Sequence, residues 1–277
     1  MSRSRAAVLG SPIGHSLSPV LHRAAYRELG LDWEYEAIDC DVPALAGTLG
    51  RLAGTHAGLS LTMPLKEAVL PLLAEVTSEA RDIGAVNTVV FADGALDRRL
   101  GYNTDVIGVL AALEELGIDP AGEPVGLLGA GGAARAVLAA LARRGVGEVV
   151  VVVRTPARAA GLLDLARRLG VAAQVRPCSP RALVGVRLAI SAVPATAAGT
   201  TEGLGSPSWP VDLPLFDLSY APWPTPLAAI ALAAGAPVVG GLPMLVAQAA
   251  EQVRLMTGRR PPTDVMRSAG EAALSAG

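Results

Sequence analysis

Val125-Gly126-Leu127-Leu128-Gly129-Ala130-Gly131-Gly132-Ala133-Ala134 is the stretch that decides the fold. The apolar run 125–128 reads as a buried strand and residues 133–144 as a helix, so the glycines occupy a strand-to-helix turn. In that setting G-x-G-x-x-G/A is a dinucleotide fingerprint. Gly129 permits the tight turn, Gly131 lets backbone N–H groups approach a pyrophosphate, and Ala134 keeps helix and strand close. The helix N-terminus favours the anion. With 31 glycines in the chain a bare match can arise by chance. What gives this one weight is a second apolar strand, 149–153, placed where a βαβ unit needs it.

Outward from this turn, short apolar runs alternate with helical patterns in both directions, as in βαβ units with mostly parallel sheets. Upstream, strands are expected at 6–9, 34–38, 58–62 and 86–91, with helices at 19–29, 43–52 and 66–74. Residues 114–124 read as a break. Downstream come strands 125–128, 149–153, 188–192, 215–218 and 237–239, with helices 133–144 and 156–169. A helical tail, 244–256 and 264–276, follows after the second sheet is complete and is therefore expected to return to the first domain. The expected class is α/β: an N-terminal α/β substrate domain (1–104 and 242–277) plus a C-terminal Rossmann-type dinucleotide-binding domain (105–241).

Composition narrows the function classes. A chain of 277 residues suits two domains. At 51% hydrophobic and 17% charged it lacks the signature of disorder. A net charge of −2 without blocks of like charge argues against nucleic acid as a partner. Cys40 and Cys178 form no CxxC or Cys/His cluster, which points to reduced thiols, no structural zinc, no bound metal and a cytoplasmic location. Residues 218–250 carry no charge, but Pro222, Pro224, Pro226, Gly235, Pro237, Gly240, Gly241 and Pro243 cut them into pieces too short for a membrane span. The apolar start after Arg5 is too short for a signal peptide.

The end of the second strand selects the dinucleotide, because an acid there would accept a ribose 2′-hydroxyl whereas arginine accommodates a 2′-phosphate. The segment reads Val153-Arg154-Thr155-Pro156-Ala157-Arg158 and contains no acid. Arg154, with Thr155 as a hydroxyl donor and Arg158 one turn on, favours NADP (NADPH). The plainer reading is a pair of solvated arginines.

Lys66, in Ser60-Leu61-Thr62-Met63-Pro64-Leu65-Lys66, is the one lysine among 23 basic residues. An ammonium exchanges protons where a guanidinium does not, so Lys66 is a proton-transfer candidate. Asparagine occurs twice, as Asn87 in Gly84-Ala85-Val86-Asn87-Thr88 and as Asn103 in Gly101-Tyr102-Asn103-Thr104-Asp105. Asn103 and Asp105 also fit ordinary helix capping. Set beside Lys66, the Asp105 carboxylate would hold the ammonium in place. In Gly10-Ser11-Pro12-Ile13-Gly14-His15-Ser16-Leu17-Ser18-Pro19, Ser16 and Ser18 can bind a carboxylate at a helix N-terminus, although Ser18 before proline also reads as a simple N-cap.

These motifs, in this order and with Asp217-Leu218-Ser219-Tyr220-Ala221-Pro222 and Gly241-Leu242-Pro243-Met244-Leu245-Val246-Ala247-Gln248, resemble the shikimate dehydrogenase family over nearly the whole chain. The resemblance implies a catalytic pair, Lys66 and Asp105, and substrate contacts from Ser16, Ser18, Thr62, Asn87, Tyr220 and Gln248. It implies cofactor contacts from Gly129, Ala130, Gly131, Gly132, Ala133, Arg154, Thr155, Arg158, Gly241 and Met244. It further implies NADPH-dependent reduction of 3-dehydroshikimate to shikimate in aromatic amino-acid biosynthesis, by a monomer or homodimer. Two positions depart from the family pattern: Ser60 and Val153 stand where asparagine is usual. Val153 keeps open an NAD-preferring quinate/shikimate dehydrogenase; a non-catalytic sensor is a third reading, against which Lys66 and Asp105 both speak.

Overall fold

The computed structural model describes residues 4–91, 99–179, 181–194 and 209–276. The chain divides into two compact units, one running to Gly108 and resuming at Leu245, the other spanning Val109–Met244.

The first unit contains β1 (Arg5–Gly10), α1 (Ser18–Glu28), β2 (Glu34–Asp39), α2 (Val42–Leu52), β3 (Gly58–Leu61), α3 (Leu65–Ala68), β4 (Glu75–Val76), α4 (Ser78–Ile83), β5 (Thr88–Phe91), β6 (Arg99–Tyr102) and the start of α5 (Asp105–Leu116). Its sheet has the order β2-β1-β3-β5-β6-β4. The central strands β1 and β3 are buried almost throughout, which is why they read as unbroken apolar runs. Ala7, Leu9, Leu45, Leu49, Leu59, Leu61, Leu65, Val86 and Val89 share one core cluster.

The sheet is mostly parallel, as expected, with β5 antiparallel to both β3 and β6. Two expectations need correction here. The helix expected over 66–74 ends at Ala68 and gives way to a 3₁₀ turn, Leu70–Leu72, because Pro71 has no N–H to continue an α-helix. The break expected from 114 starts later, since α5 continues to Leu116. Strands β4 and β6 and helix α4 are two, four and six residues long, too short to leave a periodic signal.

The second unit contains β7 (Val125–Leu128), α6 (Gly132–Arg143), β8 (Glu148–Val153), α7 (Ala160–Leu169), β9 (Ala172–Pro177), β10 (Leu188–Ser191), β11 (Leu215–Asp217), α8 (Pro226–Ala233) and β12 (Val238–Val239). Its sheet is parallel throughout, in the order β12-β11-β10-β7-β8-β9. Counted from β7 this is the doubly wound order 3-2-1-4-5-6, whose reversal lies between β7 and β10. The glycine turn leaves the carboxyl end of β7 at that reversal. Strand β9 escapes the sequence pattern because it is an edge strand with exposed and half-buried residues. Helix α8 escapes it because Pro-Leu-Ala-Ala-Ile-Ala-Leu-Ala has no polar face.

The tail forms α9 (Leu242–Thr257) and α10 (Thr263–Ala276). Helix α10 packs along α1 in the first unit, as its place after the second sheet led one to expect. Gly58 lets α9 come close to β3, since a Cβ there would meet Met256 Cγ at 2.7 Å. Among the described residues no helix is long and apolar enough to cross a membrane.

Candidate active site

The first unit brings Lys66, Asn87, Asn103 and Asp105 together from three separate places in the sequence. Buried Leu65 anchors the start of α3, and Val86 N–H donates to the Lys66 carbonyl at 2.8 Å, which ties Lys66 to the entrance of β5. Asn87 is the next residue. On the other side, Asn103 donates from Nδ2 to the Ala85 carbonyl at 2.9 Å and accepts the Asp105 N–H at 3.0 Å, so it fixes the first turn of α5 to the same strand entrance. Asp105 thus opens α5 facing Lys66, whose Nζ donates to Asp105 Oδ2 at 2.6 Å. The Asp105 side chain is 4% exposed and that of Lys66 17%. A carboxylate this buried needs its donors, and the second comes from Asn87 Nδ2, at 2.8 Å from Oδ1.

The Asn87 amide is engaged on all sides. Its second Nδ2 hydrogen goes to Thr104 Oγ1 at 2.9 Å, while Oδ1 accepts from Thr88 Oγ1 and from Thr104 N–H, each at 2.8 Å. A ring hydroxyl of a ligand would therefore reach Asn87 by sharing one of these bonds. Sequence reasoning passed over Thr88 and Thr104, yet a signal was present: each of the two asparagines is followed by a threonine.

Ser16, Ser18, Thr62 and Gln248 also belong to the first unit. Helix α1 has Leu17 at its N-cap with no side-chain cap bond, so the capping reading of Ser18 does not hold. Instead Ser16 Oγ accepts the Ser18 N–H at 3.3 Å. Asp39, at the end of β2, holds the preceding loop by accepting from Ser11 Oγ at 2.9 Å and Ile13 N–H at 3.4 Å. Thr62 follows β3, and its methyl group fills the space that a Cβ at Gly10 would need. Gln248 lies on α9, donating from Nε2 to the Leu245 carbonyl at 2.8 Å.

In the second unit Gly129 has φ +98°, the left-handed region that the tight turn demands. Its N–H donates to the Val152 carbonyl at 3.0 Å, which sets the loop beside the end of β8. Gly131 is the N-cap of α6, without a side-chain cap, and a Cβ there would meet nothing within 4 Å. Its lack of a side chain serves no internal packing and leaves the helix N-terminus open. Ala134 is fully buried. Arg154, Thr155 and Arg158 are exposed just past β8, at the same edge of the sheet as the glycine turn, because β7 and β8 are parallel neighbours. Val153 is buried. An open helix N-terminus with arginines beside it fits a phosphorylated dinucleotide.

The segment carrying Tyr220 is pinned by Asp217. Its Oδ2 accepts from Thr225 Oγ1 at 2.6 Å and Oδ1 from Ser219 N–H at 3.0 Å, while burial pushes this carboxyl up against those donors. Gly241 donates to the Ser219 carbonyl at 3.0 Å and lies so close beneath Leu218 that a Cβ would run into its carbonyl oxygen. Met244 is buried in the first turn of α9.

Two family descriptions match the chain: "Shikimate dehydrogenase substrate binding domain" over residues 8–89, and "Shikimate 5'-dehydrogenase C-terminal domain" over 241–269. The shikimate dehydrogenase (NADP(+)) of Citrifermentans bemidjiense is 41% identical over 280 residues, covering 98% of this chain and 95% of the relative. The crystal structure of Mycobacterium tuberculosis shikimate dehydrogenase matches with TM-score 0.84 at 40% identity, covering 97% of this chain and 99% of the other. That of the Thermus thermophilus enzyme in complex with NADP(H) and shikimate also has TM-score 0.84 and 40% identity, covering 98% and 99%.

Proposed function

The chain belongs to the shikimate dehydrogenase family, and from that premise we propose that it catalyses the reversible NADPH-dependent reduction of 3-dehydroshikimate to shikimate. The observation that carries this reading is the 2.6 Å Lys66–Asp105 pair in the unit that matches the substrate-binding domain.

When bound, NADPH supplies the hydride that adds to the ketone carbon. Gly129 to Ala133 would hold its pyrophosphate, and Arg154, Thr155 and Arg158 its 2′-phosphate, with Gly241 and Met244 completing the set. Lys66 gives a proton to the carbonyl oxygen as charge develops there, and takes it back in the reverse direction. Asp105 does not transfer the proton. It holds Nζ in one orientation and balances its charge. Ser16 and Ser18 donate to the substrate carboxylate, and the family resemblance adds Tyr220 as a further substrate contact. Thr62 and Gln248 bind ring hydroxyls, and Asn87 joins them by sharing a hydrogen bond. The compartment that goes with this reading is the cytoplasm, where thiols are kept reduced.

The test is one steady-state comparison of shikimate and quinate, each with NADP⁺ and NAD⁺. Shikimate with NADP⁺ is expected to give the highest kcat/KM. Preference for quinate or for NAD⁺ would overturn the assignment of substrate or cofactor respectively, and absence of any turnover would overturn the enzyme reading.

A further inference from the structure

Behind the Lys66–Asp105 pair runs a buried chain of hydrogen bonds that ends on it. Tyr35 Oη donates to Ser60 Oγ at 2.6 Å, and Ser60 Oγ donates to Gln252 Oε1 at 2.7 Å. Gln252 Nε2 donates to Thr88 Oγ1 at 3.1 Å and to the Asn87 carbonyl at 3.3 Å. Thr88 Oγ1 then donates to Asn87 Oδ1, and Asn87 Nδ2 to Asp105 Oδ1. Tyr35, Ser60, Gln252, Thr88, Asn87 and Asp105 are all buried, and all belong to the first unit.

The direction of this chain is forced by groups that can only accept. A backbone carbonyl has no hydrogen to give, so the Asn87 carbonyl obliges the Gln252 amide to turn its NH₂ inward and leave Oε1 for Ser60. Thr88 Oγ1, having accepted from Gln252, has one hydrogen left, and it goes to Asn87 Oδ1. Thr104 N–H presses the same choice on that oxygen. The Asn87 nitrogen must then face the Asp105 carboxylate, which is left with one fixed donor on Oδ1 and Lys66 on Oδ2. The burial that pushes the Tyr35 hydroxyl up keeps it protonated, so the far end of the chain starts with a donor.

We propose that Gln252 is a positioning residue for the Lys66–Asp105 pair, acting through Thr88 and the Asn87 amide without touching substrate. It rests on the catalytic role given to that pair above. Gln252 lies one helical turn beyond Gln248 on α9, so one helix carries a substrate contact and, four residues on, the support for the proton-transfer pair.

The experiment compares the full-length parent with Gln252→Met, Thr88→Val, Thr88→Ser and the Gln252→Met/Thr88→Val double variant, using shikimate and NADP⁺. Gln252→Met and Thr88→Val should each lower kcat at least about tenfold while changing KM for shikimate less than about threefold and KM for NADP⁺ not at all, because the interaction lost acts in the transition state. Thr88→Ser, which keeps the hydroxyl, should recover most of the rate. The double variant should be no worse than the poorer single one, since both break one chain. Rates within twofold of the parent, a loss confined to KM for shikimate, equal damage from Thr88→Ser and Thr88→Val, or losses that multiply would each overturn the proposal. Should Gln252→Met fail to fold, the Thr88 pair decides. A readout independent of turnover is the side-chain NH₂ signal of Asn87, one of two asparagines in the chain. It should be protected from solvent exchange in the parent and exposed to it in Gln252→Met. Unchanged protection refutes the chain. A parent without turnover but with the protection lost in the variant refutes the functional reading and keeps the chain.

Discussion

His22 makes the first unit sensitive to mild acid, and the size of the effect follows from its surroundings. The ring is fully buried on α1, stacked on Tyr35 with centroids 3.9 Å apart, and its Nδ1 lies 2.9 Å from the Ser18 carbonyl. A carbonyl only accepts, so Nδ1 carries the hydrogen and Nε2 is a bare acceptor, with no partner among the described residues. A second proton would go onto Nε2 in an apolar setting with nothing to receive it. Burial accordingly lowers the His22 pKa from 6.5 to about 4, despite the Ser18 bond that works in the other direction. Between those values the unfolded chain holds a proton that the folded chain refuses, so stability falls as pH drops through this window. The loss from this one group amounts to about 2 kcal/mol at pH 5 and about 3 kcal/mol below pH 4. In His22→Phe the ring still stacks on Tyr35 but takes up no proton. Urea unfolding of parent and variant at pH 7, 6 and 5 should show the parent losing about 2 kcal/mol more than the variant between the extremes. NMR titration of the three histidines should identify the one missing in the variant as flat until pH approaches 4. Parallel losses in both proteins, or a resonance that titrates near 6.5, would refute the reasoning.

Lys66→Arg keeps the charge beside Asp105 but cannot release a proton near neutral pH, so kcat should fall at least ~10²-fold with a smaller change in KM; a rate within a few-fold of the parent removes Lys66 from proton transfer. Arg154 makes no hydrogen bond among the described residues and is exposed, so Arg154→Ala should leave the melting temperature alone. It should weaken NADP⁺ by about 1.5–3 kcal/mol, read as KM, and NAD⁺ hardly at all; equal effects on both cofactors contradict the 2′-phosphate role. Ser18→Ala should not lower the melting temperature, since its hydroxyl caps nothing, and should raise KM for shikimate; the reverse pattern takes Ser18 out of the site.

How much was legible depends on whether the signal is local. The glycine turn at Gly129 was readable because strand, turn and helix are adjacent, and φ +98° is a demand that one residue type meets. Arg154 was readable because β8 follows α6 at the spacing of one βαβ unit. The return of the tail could be inferred because α10 comes after a completed sheet. Lys66 stood out by composition, as the one lysine in an arginine-rich chain. Edge strand β9 and the short β4 and β6 could not be read, since two to six residues with one wet face leave no period to detect.

The sequence by itself determined the residue types available for chemistry: a proton-exchanging ammonium, a carboxylate, paired hydroxyls, and a glycine turn with arginines one strand away. The tertiary structure alone decided which of them meet. Lys66, Asn87 and Asp105 come from α3, the entrance of β5 and the start of α5, and they converge because Val86 bonds the Lys66 carbonyl and Asn103 bonds that of Ala85. It also decided that the Asn87 amide is spent on Thr88, Thr104 and Asp105, and that Gln252, 165 positions along the chain from Asn87, stands behind it. The hydrogen-bond partners of a buried polar group are set by the few donors and acceptors that packing leaves within about 3 Å. Those neighbours come from distant segments, so a local reading of the sequence leaves the pairing open.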